Sequence, residues 1–134
     1  MSAVFIDSSF WITFRDKAET QHSNARRMGA ELARQRTPLI STTFVFAEVH
    51  AYFSRSIQLR EQVISDFWER GVIRLIDPAY SDQQEALEML RQSQDKDYSF
   101  CDVVSRVVMR HQKLRRVASF DDHFRQFGEF EVIS

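Results

Sequence analysis

The sequence predicts an α/β/α three-layer sandwich, with helices on both faces of a central, mainly parallel sheet of about five strands. Three observations predict it. Five short segments are rich in β-branched or aromatic residues and too short to be helices: Val4 to Ile6, Leu39 to Ser41, Val72 to Ile76, Arg116 to Phe120 and Phe130 to Ile133. Helical patterns lie between them, as parallel neighbours require of their crossovers. Only 2 prolines and 3 glycines interrupt the 134 residues, so the chain reads as one domain, 1–134, without linker, repeat or low-complexity segment.

The first strand leads into a short helix, Ser9 to Phe14, capped by Ser8 or Ser9, and Thr20 to Arg34 forms a longer one. After the second strand, Thr43 to Phe53 and Ile57 to Trp68 read as a helical pair ending at Gly71. Ser81 to Arg91 follows the Asp77–Pro78 breaker. In "KDYSFCDVVSRVVM" the apolar side Val103, Val104, Val107 and Val108 predicts a helix over Ser99 to His111, with Ser99 and Asp102 as its capping box. Asp121 to Gln126 is the last helix.

Composition limits the function classes. The chain is 43% hydrophobic with 12 Phe, which predicts a packed core rather than disorder. No apolar run approaches the roughly 20 residues needed to cross a bilayer, and the N-terminus lacks the pattern of a secretory leader, so a cytoplasmic location is expected. Cys101 has no intrachain partner and reads as a small core hydrophobe. A net charge of −1 excludes a globally basic nucleic-acid coat but permits a local patch. Arg106, Arg110, Lys113, Arg115, Arg116 and Arg125 could form one in the last third, as could Arg26, Arg27, Arg34 and Arg36 around the second helix. A solvated helix face explains these residues equally well.

The acids carry the chemistry. Asp7 directly follows the first strand and Asp121 the fourth, which places both at the carboxyl edge of the sheet, where ligands of such sheets bind. Glu48 shares a helical face with Phe44, Ala47, Ala51 and Tyr52, so it needs a partner, either an Arg or a metal ion. Asp102 opens its helix, with Asp95 and Asp97 before it. Converging carboxylates repel, and a divalent cation such as Mg²⁺ or Mn²⁺ resolves the repulsion. Capping offers another reading: Asp7 can cap the first helix, Asp102 its own, and Ser119 to Asp122 repeats the capping-box spacing. Spacing alone leaves both open. No zinc-like Cys/His spacing occurs, and His50 and His123 read as surface or core-edge residues rather than ligands or bases.

Over essentially its whole length the sequence resembles the PIN-domain ribonucleases, and among them the VapC-like toxins. "VFIDSSFWI" resembles the family's strand ending in an Asp followed by small hydroxyls, "TTFVFAEVHAYF" its acidic helix, "DKDYSFCDVVSRVVM" its third acidic position and "ASFDDHFRQFGEFEVI" its C-terminal segment. The resemblance implies a Mg²⁺- or Mn²⁺-dependent endoribonuclease, with Asp7, Glu48, Asp102 and Asp121 as catalytic metal ligands. Asp122 stands beside Asp121, and either could face the metal. Ser9 and Ser119 would hydrogen-bond the acids or the phosphate, with Arg106 and Arg110 further contacts to substrate. It also implies RNA as substrate, a cognate antitoxin protein as partner, no membrane association, and a homodimer, for which Phe53, Phe67 and Trp68 are candidate contacts. The alternative is a non-catalytic PIN-like module that binds RNA or protein and in which the acids are structural.

Overall fold

The computed structural model describes residues 2–134. Its elements run β1 (Val4–Ile6), α1 (Ser8–Arg15), α2 (His22–Arg34), β2 (Leu39–Thr42), α3 (Thr43–Tyr52) and α4 (Ile57–Ile64), which continues into a π-helical turn, Ser65–Glu69. Then follow β3 (Ile73–Ile76), α5 (Tyr80–Gln92), α6 (Phe100–His111), β4 (Arg116–Ala118), α7 (His123–Phe127) and β5 (Glu131–Ile133). All neighbouring strands are parallel, in the order β3-β2-β1-β4-β5. The chain therefore builds outward from β1 through β2 and β3, then returns to β1's other side with β4. With right-handed crossovers, that reversal sends α1 to α4 to one face and α5 to α7 to the other. It also opens a crevice between the carboxyl ends of β1 and β4, the topological switch point.

Burial explains the central elements. Val4, Phe5 and Ile6 are fully buried, as expected of a parallel strand covered on both faces. Most of α6 is buried too, from Cys101 to Ser105 and from Val107 to Met109, so this helix is an interior wall rather than a surface helix with one apolar stripe. Gly71, at φ 68°, turns the chain out of the π-helical turn into β3 in the left-handed region that favours glycine.

Several sequence expectations are corrected. Neither Ser8 nor Ser9 caps α1; Asp7 occupies the N-cap position, and its side chain makes no capping bond. On α3 the buried face is Val45, Val49 and, just beyond the helix, Phe53, whereas Ala47, Ala51 and Tyr52 are exposed. Glu48 thus lies at the margin of the core, because the small residues around it mark the outward side. Phe53 and Phe67 are core residues, and of the three proposed contact aromatics only Trp68 is exposed. The fourth strand stops at Ala118, two residues before Phe120, because Ser119 to Asp122 turns across the sheet edge.

Candidate metal centre

Asp7 leaves β1 in an extended conformation and points into the switch-point crevice, where it is only 2% exposed. Two hydroxyls meet its Oδ2: Ser9 Oγ donates at 2.7 Å from the first turn of α1, and Ser119 Oγ at 2.8 Å from the end of β4. Each hydroxyl also accepts a backbone N–H, Ser9 from Phe120 and Ser119 from Asp121, both at 3.0 Å. The last bond replaces the capping box expected between Ser119 and Asp122. These contacts clamp the ends of β1 and β4 around one carboxylate. Burial pushes Asp7 up to about 6, and the charge of Asp102 adds to the rise although both serines oppose it.

Glu48 approaches from α3, its Oε1 accepting the Ser8 hydroxyl at 2.7 Å. Of the two partners expected, an Arg or a metal ion, no Arg reaches it among the described residues, and its bonded neighbour is the neutral hydroxyl of Ser8, next to Asp7. Cys101 reports the convergence of the acids. Its thiol is raised far above the ordinary range, first by burial and then by the charges of Glu48, Asp7 and Asp102.

Asp102 holds both halves of a capping box, taking the Ser99 N–H on Oδ2 at 3.0 Å while its own N–H donates to Ser99 Oγ at 3.1 Å. It is also 6% exposed and shares Oδ2 with His123 Nδ1 at 2.6 Å. Asp121 accepts the His123 backbone N–H at 3.0 Å and faces Nδ1 of the same ring at 3.3 Å. Asp102, Asp121 and His123 can offer donor atoms that all lie within 4.8 Å of one another. Asp122 is exposed and outside this group.

The structure brings donor atoms of Asp102, Asp121 and His123 together, and ties Asp7 to the same turn through Ser119 and Glu48 to the start of α1 through Ser8. His123, at the core edge as expected, is the member of the group that the sequence does not single out as a ligand. Its signal was position: it is the first residue of α7, two after Asp121 in the turn leaving a switch-point strand. Tyr98 packs edge-on against its ring. Arg106 and Arg110 are engaged elsewhere, both bonded to Glu129. Among the described residues no Lys or Arg pairs with Asp7, Glu48, Asp102 or Asp121. Hard carboxylate oxygens that no Lys or Arg offsets fit a divalent cation.

The comparisons with known proteins agree. The PIN domain family model matches residues 4–129. The 23S rRNA-specific endonuclease VapC20 of Mycobacterium tuberculosis is 26% identical over 131 residues, 96% of this chain and 97% of that protein. The crystal structure of that toxin superposes with a TM-score of 0.86 at 24% identity, covering 98% of this chain and all of the other. VapBC2 from Rickettsia felis follows with a TM-score of 0.67 at 14% identity, covering 98% and 97%. FitAcB from Neisseria gonorrhoeae gives 0.65 at 10%, covering 98% and 96%. With its whole sheet and its acidic crevice inside the matched span, the chain belongs to the PIN-domain family.

Proposed function

We propose that this protein is a divalent-metal-dependent endoribonuclease, the toxin of a toxin–antitoxin pair. One observation carries the reading: Asp102, Asp121 and His123 can offer donor atoms within 4.8 Å of one another, and Asp7, 2% exposed, is bonded through Ser119 to the same turn, with no Lys or Arg among the described residues pairing with these acids. Asp7, Glu48, Asp102 and Asp121 would hold Mg²⁺ or Mn²⁺. Bound there, the ion would supply a nucleophilic water at neutral pH and charge neutralisation at the leaving oxygen.

The chain's own groups prepare the site. Ser9 and Ser119 fix the Asp7 carboxylate from both sides, Ser8 orients Glu48, and the Ser99 N–H aims Asp102. His123 bridges Asp102 and Asp97 and holds those acids together before metal enters. RNA as substrate is supported by the relative that is a 23S rRNA-specific endonuclease, and a structured ribosomal hairpin by the solved relative described as a Sarcin-Ricin loop cleaving toxin. A protein antitoxin is supported by the similar toxin–antitoxin complex from Klebsiella pneumoniae. A homodimer belongs to the same reading. On this chain it draws only on Trp68, 54% exposed, since Phe53 and Phe67 are core, and sedimentation over a wide concentration range tests it. No helix is long and apolar enough to cross a membrane; a cytoplasmic site of action rests on the RNA substrate.

The test is Mn²⁺-supported cleavage of a sarcin–ricin hairpin and of an unstructured RNA, comparing wild type with Asp7→Asn. Cleavage should need metal, stop with chelator and fail in the variant. Cleavage that survives chelator or Asp7→Asn would place the activity elsewhere. RNA binding without cleavage at any metal concentration would favour the non-catalytic module.

A further inference from the structure

At the opposite edge of the sheet, by the amino ends of β2 and β3, α1, α2 and the π-helical turn enclose a second cavity of about 300 Å³. Phe10, Trp11 and Phe14 supply aromatic walls and Leu32 an aliphatic one. Close approach of the two helices shapes it. A Cβ on Gly29 would lie 2.5 Å from the Phe14 ring, so glycine there lets α2 reach α1 and fixes the ring that borders the space. Protein interiors retain few voids larger than a water molecule, whereas apolar spaces of this size with a few polar groups are typical of ligand sites.

Two polar features give the cavity a chemical preference. Thr37 lines it at 8% exposure, and its buried Oγ1 has no hydrogen-bond partner, although buried hydroxyls are almost always bonded. The ionic lining carries a positive surplus, because Arg15 and Arg70 share one carboxylate, Asp66. Arg15 spends Nε and Nη2 on it at 2.8 and 2.7 Å. Arg70 stands 3.6 Å away with its side chain 53% exposed, so its guanidinium has donors left over. Both Asp66 and the residues leading to Arg70 belong to the π-helical turn, a feature that recurs at functional sites.

We propose that this cavity binds a small amphipathic monocarboxylate, its flat apolar body against the rings of α1 and its carboxylate paired with Arg70. Trp11 Nε1 and the Nε and Nη2 of Arg15 are already bonded to Asp66, so the guanidinium most free to pair is Arg70 and the unspent hydroxyl is Thr37. A neutral molecule of the same shape would leave the positive surplus unmatched.

Indole-3-acetate and its neutral analogue tryptophol make a direct pair of probes, titrated into full-length protein and followed by amide chemical shifts. Indole-3-acetate should give saturable shifts centred on Gly29, Leu32 and Thr37 and should bind at least tenfold more tightly than tryptophol. Arg70→Gln should abolish that preference while leaving tryptophol binding unchanged. Ala33→Trp, at an exposed helical position on the cavity's rim, should block both. Absence of saturable shifts at millimolar probe, equal binding of acid and alcohol, or shifts centred elsewhere would each overturn the proposal. Because the cavity lining shares no residue with the acidic crevice, these outcomes are independent of whether RNA is cleaved.

Discussion

His123 Nδ1 lies 2.6 Å from Asp102 Oδ2, while Nε2 of the same ring lies 3.0 Å from Asp97 Oδ1. Two ring nitrogens that each face a carboxylate oxygen are both satisfied only when both carry hydrogen, so the geometry selects the imidazolium. Burial alone would lower His123; the Asp97 hydrogen bond and the charges of Asp102 and Asp121 outweigh it and hold the ring above its ordinary value of 6.5. In the metal-free protein the cation facing Asp97, Asp102 and Asp121 is thus the His123 ring.

His123→Asn should destabilise the metal-free protein by roughly 1–2 kcal/mol in mildly acidic buffer, the scale of a charge-assisted hydrogen bond. A folded value above the unfolded 6.5 means the stabilisation is fully present below 6.5 and is lost as pH rises through the raised value. The gap between wild type and variant should therefore narrow on going to alkaline pH. Thermal unfolding across that range checks it; a constant gap would mean that packing against Tyr98, not charge, holds the ring.

Asp7 has the same slope for a different reason, because burial penalises its charged form. The unfolded chain releases this proton near 3.8 and the folded chain at about 6, so between those values the folded state binds more protons and stability falls as pH rises. Above that window the cost persists, and Asp7→Asn should be the more stable protein by up to about 3 kcal/mol. Below pH 4 the two should converge. Urea unfolding at acid and neutral pH would show it, and Mn²⁺ should stabilise the wild type selectively, because a ligand of the folded state shifts unfolding by mass action.

Asp102 caps α6 and faces His123 through the same oxygen, so its two roles can be separated by substitution. Asn keeps an acceptor for the Ser99 N–H, and the capping loss should stay near 1 kcal/mol. Cleavage should nonetheless collapse, with a smaller Mn²⁺-induced rise in melting temperature than wild type shows. Equal metal shifts and intact cleavage would reduce Asp102 to a helix cap.

Asp66 tests the fold away from the crevice. It is 1% exposed and accepts Trp11 Nε1 at 2.9 Å and Gln62 Nε2 at 3.0 Å besides the Arg15 fork. Asp66→Asn leaves Arg15, largely buried, without its counter-charge, and the loss should reach about 3–5 kcal/mol in chemical denaturation. The Mn²⁺-induced stabilisation should survive, since Asp66 shares no contact with the four acids.

What the sequence determined by itself is the alternation of strands and helices and the residues that end strands. Val4 to Ile6 stops at Asp7 because a carboxylate cannot continue a strand buried on both faces, and Ser99 with Asp102 announces a capped helix through purely local bonds. Those signals lie within a few residues of one another, so they are legible in one dimension. Tertiary structure alone decided the rest. That Ser9 and Ser119, 110 positions apart, share one carboxylate follows from β4 pairing with β1 at the sheet's reversal, which no local pattern encodes. The same reversal made His123, a surface or core-edge residue by sequence, the partner of Asp102 and Asp97. The burial of Glu48 was likewise decided in three dimensions: its helix buries Val45 and Val49, and of the face that looked apolar only Phe44 packs on the core while Ala47, Ala51 and Tyr52 are exposed.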